Sequence, residues 1–136
     1  MPGHPVLLNV DLGELPDEPE ALYSAAHLAN VACGGHAGDE RSMRLAVERC
    51  LRHGVQLGAH PSFPDREGFG RRALAIEPSL LGQSIAAQCL ALARVAQELG
   101  AQVRHCKAHG ALYHAADRSP ELAKVLVDAV MDALGP

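Results

Sequence analysis

The feature that most constrains the fold is a set of four short apolar runs, each ending in reactive polar side chains with glycine close by in the sequence. The runs lead into NVDLGE (9–14), ANVACGGHAGD (29–39), GAHPSFPDREGFGRR (58–72) and KAHGALY (107–113). Glycine lets the backbone pass close to a ligand, and side chains at the carboxyl ends of parallel strands converge at one edge of a sheet. The pattern therefore predicts an enzyme with its site along such an edge.

Helical patterns separate these runs. We expect strands at 6–10, 29–33, 55–59 and 103–107, and helices at 19–28, 40–53, 77–99 and 120–134, with a Gly/Pro-rich loop over 60–75. The order β-α-β-α-β-α-β-α predicts an α/β fold with a parallel sheet and right-handed crossovers. Two architectures fit it. One is the amino-terminal part of a (β/α) barrel, with open strand edges and an apolar inner face; the other is a small flavodoxin-like domain.

Composition narrows the class of protein. The 136 residues suit a single domain spanning 1–136, and the net charge of −4 argues against a nucleic-acid partner. We find no apolar run of the length that spans a bilayer and no positive stretch typical of a signal peptide. The four cysteines form no CxxC pair, so we expect reduced, mostly buried thiols at Cys33, Cys50, Cys89 and Cys106. These features predict a cytoplasmic protein with no membrane partner.

Five residues at the predicted strand ends are the catalytic candidates: Asp11, His36, His60, Lys107 and His109. Asp11 and the three histidines have the side chains of a divalent-metal site, in which the metal activates water and polarises a carbonyl. The same residues could act without metal as general acids and bases. For Asp11 the alternative is a turn aspartate that bonds its own backbone.

A second set of polar residues beside these strand ends forms the candidates for binding substrate or phosphate: Asn9, Asp39, Asp65, Arg66, Arg71, Arg72 and Tyr113. Asp39 precedes a helix and could equally be its N-cap. The arginines could pair with Asp65 on the surface, where such pairs contribute about 0–1 kcal/mol. They could instead hold a carboxylate or a phosphate.

The four segments resemble the signature blocks of the LamB/YcsF family, in family order and from about residue 7 to residue 134. This resemblance implies a glycoside hydrolase/deacetylase-like barrel of about 250 residues, the size typical of a complete (β/α) barrel, so this chain would be the amino-terminal half. The departures are Val10, Gly35, Ala108 and His114, where the family usually has Ala, Phe, Pro and Asn. Gly35 would remove an aromatic side chain that walls the pocket.

The family includes the A component of bacterial ATP-dependent 5-oxoprolinase, which implies that 5-oxo-L-proline, ATP and water give L-glutamate, ADP and phosphate. ATP would be a co-substrate, subunits B and C would be partners, and a homo-oligomer is possible. For this reaction we expect phosphorylation of the amide oxygen followed by attack of water on the activated carbon. The roles would fall on Lys107 with Arg71 or Arg72 for the anion, His60 or His109 for protons, and Asp11 for water or a metal. The alternatives are a metal-dependent carbohydrate deacetylase or amidohydrolase, and an inactive half-barrel that binds a partner or a second copy.

Overall fold

The computed structural model describes Gly3 and residues 5–136, so the signal-peptide expectation rests partly on positions 1, 2 and 4, which lie outside the described residues. The chain alternates short strands and longer helices, with two helices in succession at the end. The elements are β1 (Asn9–Leu12), α1 (Ala21–Ala25), β2 (Leu28–Ala32), α2 (Glu40–His53), β3 (Gln56–His60), α3 (Pro78–Glu98), β4 (His105–Cys106), α4 (Gly110–Arg118) and α5 (Pro120–Leu134).

The strands form one parallel sheet in the order β1-β2-β3-β4, so the predicted α/β fold with parallel strands is confirmed. Strands adjacent in sequence are adjacent in space, and the order nowhere reverses. A flavodoxin-like sheet has the order 2-1-3-4-5, so that alternative is wrong. The sheet is open, and β1 and β4 are its edge strands.

Several predicted boundaries were wrong. β1 begins at Asn9 rather than residue 6, so Asp11 lies inside the strand. The first helix ends at Ala25 because Leu28 already pairs with Asn9 and Gln56 in the sheet. The helix Gly110–Arg118 was not predicted, since its first residue is a glycine with a φ of 56° and glycine normally ends helices. The fourth strand, expected over 103–107, is only His105–Cys106.

One face of the sheet packs against the helices and forms the core. Apolar side chains from alternate strand positions, including Leu12, Val31 and Leu57, join the buried face of α3 in a single cluster. Within the described residues α3 is the one helix long and apolar enough to cross a membrane by length and composition. Core helices of globular domains also have this composition, and Ile85 and Leu92 of α3 are fully buried in the cluster.

The opposite face of the sheet is polar, which corrects the expectation of an apolar inner face. Strand alternation places seven polar side chains there: Asn9, Asp11, Asn30, Gln56, His60, His105 and Lys107. Hydrogen bonds link several of them across the strands. Since these groups are polar, the open face carries little of the apolar surface expected of an unfilled barrel.

The cysteines are free thiols in the structure, and three are buried. Burial raises the pKa of Cys33 and of Cys50 to about 12, so both remain protonated at neutral pH. Cys106 is half-buried and packs against the core. The predicted burial of the thiols is therefore confirmed for Cys33, Cys50 and Cys89.

Candidate active site

Three histidines and one glutamate converge at the carboxyl edge of the sheet. Glu14 follows β1, His36 lies in the β2–α2 loop, His60 ends β3, and His109 precedes α4. Each offers one nitrogen or oxygen atom, and these four atoms all lie within 4.8 Å of one another. The parallel sheet therefore brings together residues that are up to 95 positions apart in sequence.

Backbone carbonyl groups select the ring tautomers of two of these histidines. His60 Nδ1 lies 2.6 Å from the carbonyl oxygen of Lys107, and His109 Nε2 lies 2.8 Å from that of Phe69. A carbonyl only accepts, so each of these nitrogens must carry the proton. In the neutral rings, His60 Nε2 and His109 Nδ1 are then bare lone pairs, and they face each other at 3.1 Å.

His36 contacts both Glu14 and His109. Its Nε2 lies 3.1 Å from Glu14 Oε1, while its buried Nδ1 has no hydrogen-bond partner among the described residues. The ring stacks on His109 with centroids 3.6 Å apart and planes 5° from parallel. A proton on Nε2 gives His36 a hydrogen bond to the carboxylate, so His36 orients Glu14.

Asp11 and Lys107 lie next to this centre on the polar face of the sheet. Asp11 Oδ2 is 3.4 Å from His60 Nε2, and Asp11 Oδ1 accepts hydrogen bonds from Lys107 Nζ (3.1 Å) and Asn30 Nδ2 (3.0 Å). The contact with His60 lowers the pKa of Asp11 where His60 Nε2 carries a proton or a cation, and the bonds from Asn30 and Lys107 lower it further, despite the partial burial of Asp11. Asp11 is therefore a carboxylate at neutral pH, paired with a partly exposed lysine.

A row of polar side chains continues from Asp11 across the sheet. Asp11, Asn30, Gly58 and His105 are aligned in register. His105 Nε2 reaches over Gly58 to Asn30 Oδ1 at 3.0 Å, and a side-chain carbon at Gly58 would overlap that ring. Asn30 Nδ2 also donates to Asn9 Oδ1 at 3.1 Å, so Asn9 joins the row as a neighbour of Asn30 rather than of the histidines.

The arginines of the 60–75 loop have different environments. Arg72 makes a two-point ion pair with the buried carboxylate of Asp65, and Arg66 donates to the carbonyl oxygens of Gly34 and Gly38. These contacts fasten the loop to itself and to the β2–α2 loop. Arg71 instead lies over the Phe69 ring, 5.1 Å from its centroid. Arg66 and Arg72 are thus engaged in contacts that hold the loops together. The Arg71 guanidinium makes no such contact among the described residues and lies over Phe69, whose ring packs against His36 and His109.

Asp39 and Tyr113 occupy distinct places. Asp39 is the N-cap of α2, where its carboxylate accepts from Ser42 N at 2.8 Å and Ser42 Oγ accepts from Asp39 N. This is the capping role that the sequence left open.

Tyr113 is exposed on α4 and lines a cleft of about 150 Å³ with residues that include Asp11, His60, Lys107 and His109. A larger cavity of about 380 Å³ lies between the β1–α1 segment and α2, away from the histidines.

Glu14 is the site residue that the sequence marks only as a weaker candidate, because nothing local shows where its side chain points. The carboxylate of Glu18 accepts hydrogen bonds from three successive backbone N–H groups, those of Gly13 (2.7 Å), Glu14 (2.9 Å) and Leu15 (3.3 Å). Successive N–H groups of this kind form an anion-binding concavity. Glu18 fills it and so fixes the turn that directs Glu14 toward the histidines.

Replacing Glu18 by Ala is expected to lower the free energy of unfolding by about 1–3 kcal/mol, because three backbone donors lose their acceptor. Urea unfolding measures this change. Glu20→Ala is the matched control, since Glu20 makes ion pairs with Arg52 and His53 near the surface, and such pairs are worth about 0–1 kcal/mol. Equal losses in the two variants would contradict the special role of Glu18.

Gly35 has a different role from the one inferred from sequence. A side-chain carbon at this position would lie 2.4 Å from Gln88 Oε1 and 2.4 Å from Ser62 Oγ. Gln88, from α3, exchanges hydrogen bonds with the backbone of Ser62 (3.0 and 2.9 Å). The space beside Gly35 is therefore filled by this pair, and the loss of an aromatic ring there leaves no gap.

We expect Gly35→Ala to destabilise the protein by about 1–3 kcal/mol through overpacking. In a Gln88→Ala background the same substitution should cost less, since Gln88 supplies one of the two close contacts. Unfolding free energies of the two single variants and the double variant give the coupling. Strictly additive values would show that Gln88 does not restrict position 35.

Comparison with known proteins supplies a family and a structural relative. The sequence model described as the LamB/YcsF family matches residues 6–134. The crystal structure of the lactam utilization protein from Thermus thermophilus superposes with a TM-score of 0.89 at 37% sequence identity. The match covers 93% of this chain and 53% of that one. The chain thus spans about half the length of this relative.

Proposed function

The chain belongs to the LamB/YcsF family, and on that premise we propose that it acts on a lactam, opening the cyclic amide of 5-oxo-L-proline to L-glutamate with consumption of ATP. The observation that carries the substrate class is the 37% identity to a lactam utilization protein over 93% of this chain. The site supports it with a carboxylate, a lysine and paired histidines in one cleft. Subunits B and C of 5-oxoprolinase are the proposed partners, and the cytoplasm the proposed location.

We also propose that the open four-stranded sheet is one part of a larger barrel of the glycoside hydrolase/deacetylase type. The order β1-β2-β3-β4 is the order in which a (β/α) barrel is built. The candidate residues lie at the carboxyl ends of the strands, where the active sites of such barrels occur. The structural relative extends to almost twice the matched length.

In the proposed reaction, the γ-phosphoryl group of ATP passes to the lactam oxygen and ADP leaves. The ring carbon becomes electrophilic, water adds to it, and the C–N bond breaks as the nitrogen takes a proton. Hydrolysis of the resulting acyl phosphate then releases phosphate and glutamate. Coupling to ATP is reasonable because a five-membered lactam is a poor electrophile and re-forms readily from glutamate.

The residues of the cleft suit separate parts of this reaction. Lys107 and Arg71, whose guanidinium lies over the Phe69 ring, would neutralise the phosphate or the substrate carboxylate. In the metal-free site, burial lowers the pKa of His109, so its Nδ1 is unprotonated at neutral pH and can accept a proton from water. The carboxylate of Asp11 would orient the attacking water beside His60, whose Nε2 lies 3.4 Å away.

The test is ATP-dependent release of glutamate from 5-oxoproline by this chain mixed with subunits B and C. A complex containing a full-length A component is the positive control, and omission of ATP is the negative one. Glutamate formed only with ATP would support the proposal. A silent mixture beside a working control would overturn it for this chain and would favour the inactive half-barrel that binds a partner or a second copy.

The second candidate function is a metal-dependent amidohydrolase or carbohydrate deacetylase. The observation that favours it is the cluster of Glu14, His36, His60 and His109, which brings four atoms of metal-binding types within 4.8 Å of one another. Amide or acetyl cleavage that needs added zinc and proceeds without ATP would support this function over the first.

A further inference from the structure

The cluster contains an electrostatic conflict that a bound cation would remove. His60 Nε2 and His109 Nδ1 face each other as lone pairs at 3.1 Å, and Glu14 Oε1 lies 3.5 Å from the first and 3.7 Å from the second. His60 is 1% exposed and His109 8% exposed, so water screens this arrangement poorly. Three electron-rich atoms directed at one another in a buried site are unfavourable without a positive charge between them.

The size of this triangle fits a zinc-type ion. Its edges are 3.1, 3.5 and 3.7 Å. Ligands about 2.0–2.2 Å from a tetrahedral zinc ion are separated by about 3.3–3.6 Å. Two imidazoles and one carboxylate are also ligand types that zinc accepts in catalytic sites, where a fourth position stays open.

The groups around the triangle resemble those that orient metal ligands. Ligating histidines almost always donate their other ring N–H to a carbonyl or carboxylate, as His60 does to Lys107 O and His109 to Phe69 O. The Phe69 carbonyl is presented by a residue with a φ of 55°, a conformation that non-glycine residues seldom adopt. The loop thus holds that carbonyl in place at some conformational cost.

His36 does not fit as a further ligand. Its ring is parallel to that of His109 at 3.6 Å, so the in-plane lone pairs of the two rings cannot point at one ion. Its Nδ1 also lacks the carbonyl partner that the other two rings have. The contact of its Nε2 with Glu14 Oε1 at 3.1 Å is instead the hydrogen bond that orients a ligating carboxylate.

We propose that Glu14, His60 and His109 bind one divalent cation of the zinc type, with His36 positioning Glu14. This set differs from the one expected from sequence, since Glu14 replaces Asp11 and His36 moves outside the ligands. Two of these proposed ligands, His60 and His109, line the cleft that contains Asp11 and Lys107. A cation there would lower the pKa of a bound water and so supply a nucleophile. Its catalytic use rests on the proposed function, whereas the binding of the cation does not.

The test is binding of Zn²⁺ and Co²⁺ to the natural chain after removal of metal with a chelator. Titration calorimetry should give one site per chain, and Co²⁺ should develop the visible absorption of a tetrahedral complex. Glu14→Gln should weaken binding at least about 100-fold through loss of a ligating charge, and His36→Gln should weaken it by about 10–100-fold, as for groups that orient ligands. His53→Ala is the matched control, since His53 pairs with Glu20 near the surface, and it should bind as the natural chain does.

Circular dichroism of each variant verifies that it is folded. Failure of the natural chain to bind either metal would overturn the proposed site. Binding of both metals by the Glu14→Gln variant as tightly as by the natural chain would also overturn it. In either case His60 and His109 would share a proton instead of a cation. Metal binding together with a silent glutamate assay would support the cation site and overturn the lactam function. Undiminished glutamate release from chelator-treated, metal-free complex would support the lactam function and overturn any catalytic use of the cation.

Discussion

Replacing Asp11 by Asn in an active complex is expected to lower turnover at least about 100-fold. The substitution keeps the size of the side chain but removes its charge. Lys107 Nζ, 3.1 Å from Oδ1, then loses its counter-charge, although the amide oxygen can still accept its hydrogen bond. The same oxygen can accept from Asn30 Nδ2, 3.0 Å away, so the substitution removes charge rather than these hydrogen bonds. The atom 3.4 Å from His60 Nε2 becomes a neutral amide nitrogen, which cannot orient the attacking water as a carboxylate oxygen does.

The measurement is the rate of glutamate formation at saturating 5-oxoproline and ATP, with subunits B and C present. Asp17→Asn is the control, because Asp17 lies exposed in the segment before α1 and the same charge is removed there. We expect the control to keep the natural rate. A near-normal rate for Asp11→Asn would remove Asp11 from the mechanism and leave Glu14 as the carboxylate of the site.

Gly70→Ala is expected to destabilise the protein by about 2–4 kcal/mol. Gly70 has a φ of +66°, which L-residues seldom adopt, and its added carbon would lie 2.8 Å from His36 Cβ and 3.0 Å from His109 Cδ2. The carbonyl of Gly70 also accepts from Ala111 N at 3.0 Å, so the backbone has little freedom to retreat. The two stacked rings must therefore separate or the loop must move, and either change should also lower turnover.

Gly100→Ala separates the two causes. Gly100 has a φ of +78° but open space around it, so its substitution carries the backbone cost without the contact. We expect a loss of about 1–2 kcal/mol there. The excess loss in Gly70→Ala, measured by urea unfolding, is the contribution of packing against the histidines. Equal losses would mean that the loop relaxes freely and that Gly70 does not constrain the cluster.

Much of the fold could be predicted because its signals are local. The apolar stripe of α2, its Asp39 cap and Gly54 at its end are all readable within one segment, and the helix has these bounds in the structure. The parallel sheet follows from the alternation of strands and helices. The short helix α4 was missed because its glycine start opposes helix propensity, and contacts such as that of Ala111 N with Gly70 O hold it in place.

The candidate site was also predictable only in part. Glycine next to His36 and His109, and the position of His60 at the end of an apolar run, indicated these three histidines, and the structure brings them together. The partners of the arginines were not readable, since Arg66, Arg71 and Arg72 are chemically alike in sequence. Only the folded loop distinguishes the ion pair with Asp65 from the ring stacking on Phe69.

The sequence by itself determined the element types, the parallel arrangement and the edge at which the reactive side chains gather, because periodicity and chain order act over short distances. The tertiary structure alone decided that Glu14 completes the cluster, that His60 and His109 present bare nitrogens to each other, and that the open face of the sheet is polar. These properties depend on strand register, on which carbonyl lies beside which ring, and on the turn held by Glu18. All of these depend on contacts between individual atoms, and sequence periodicity carries no information about such contacts.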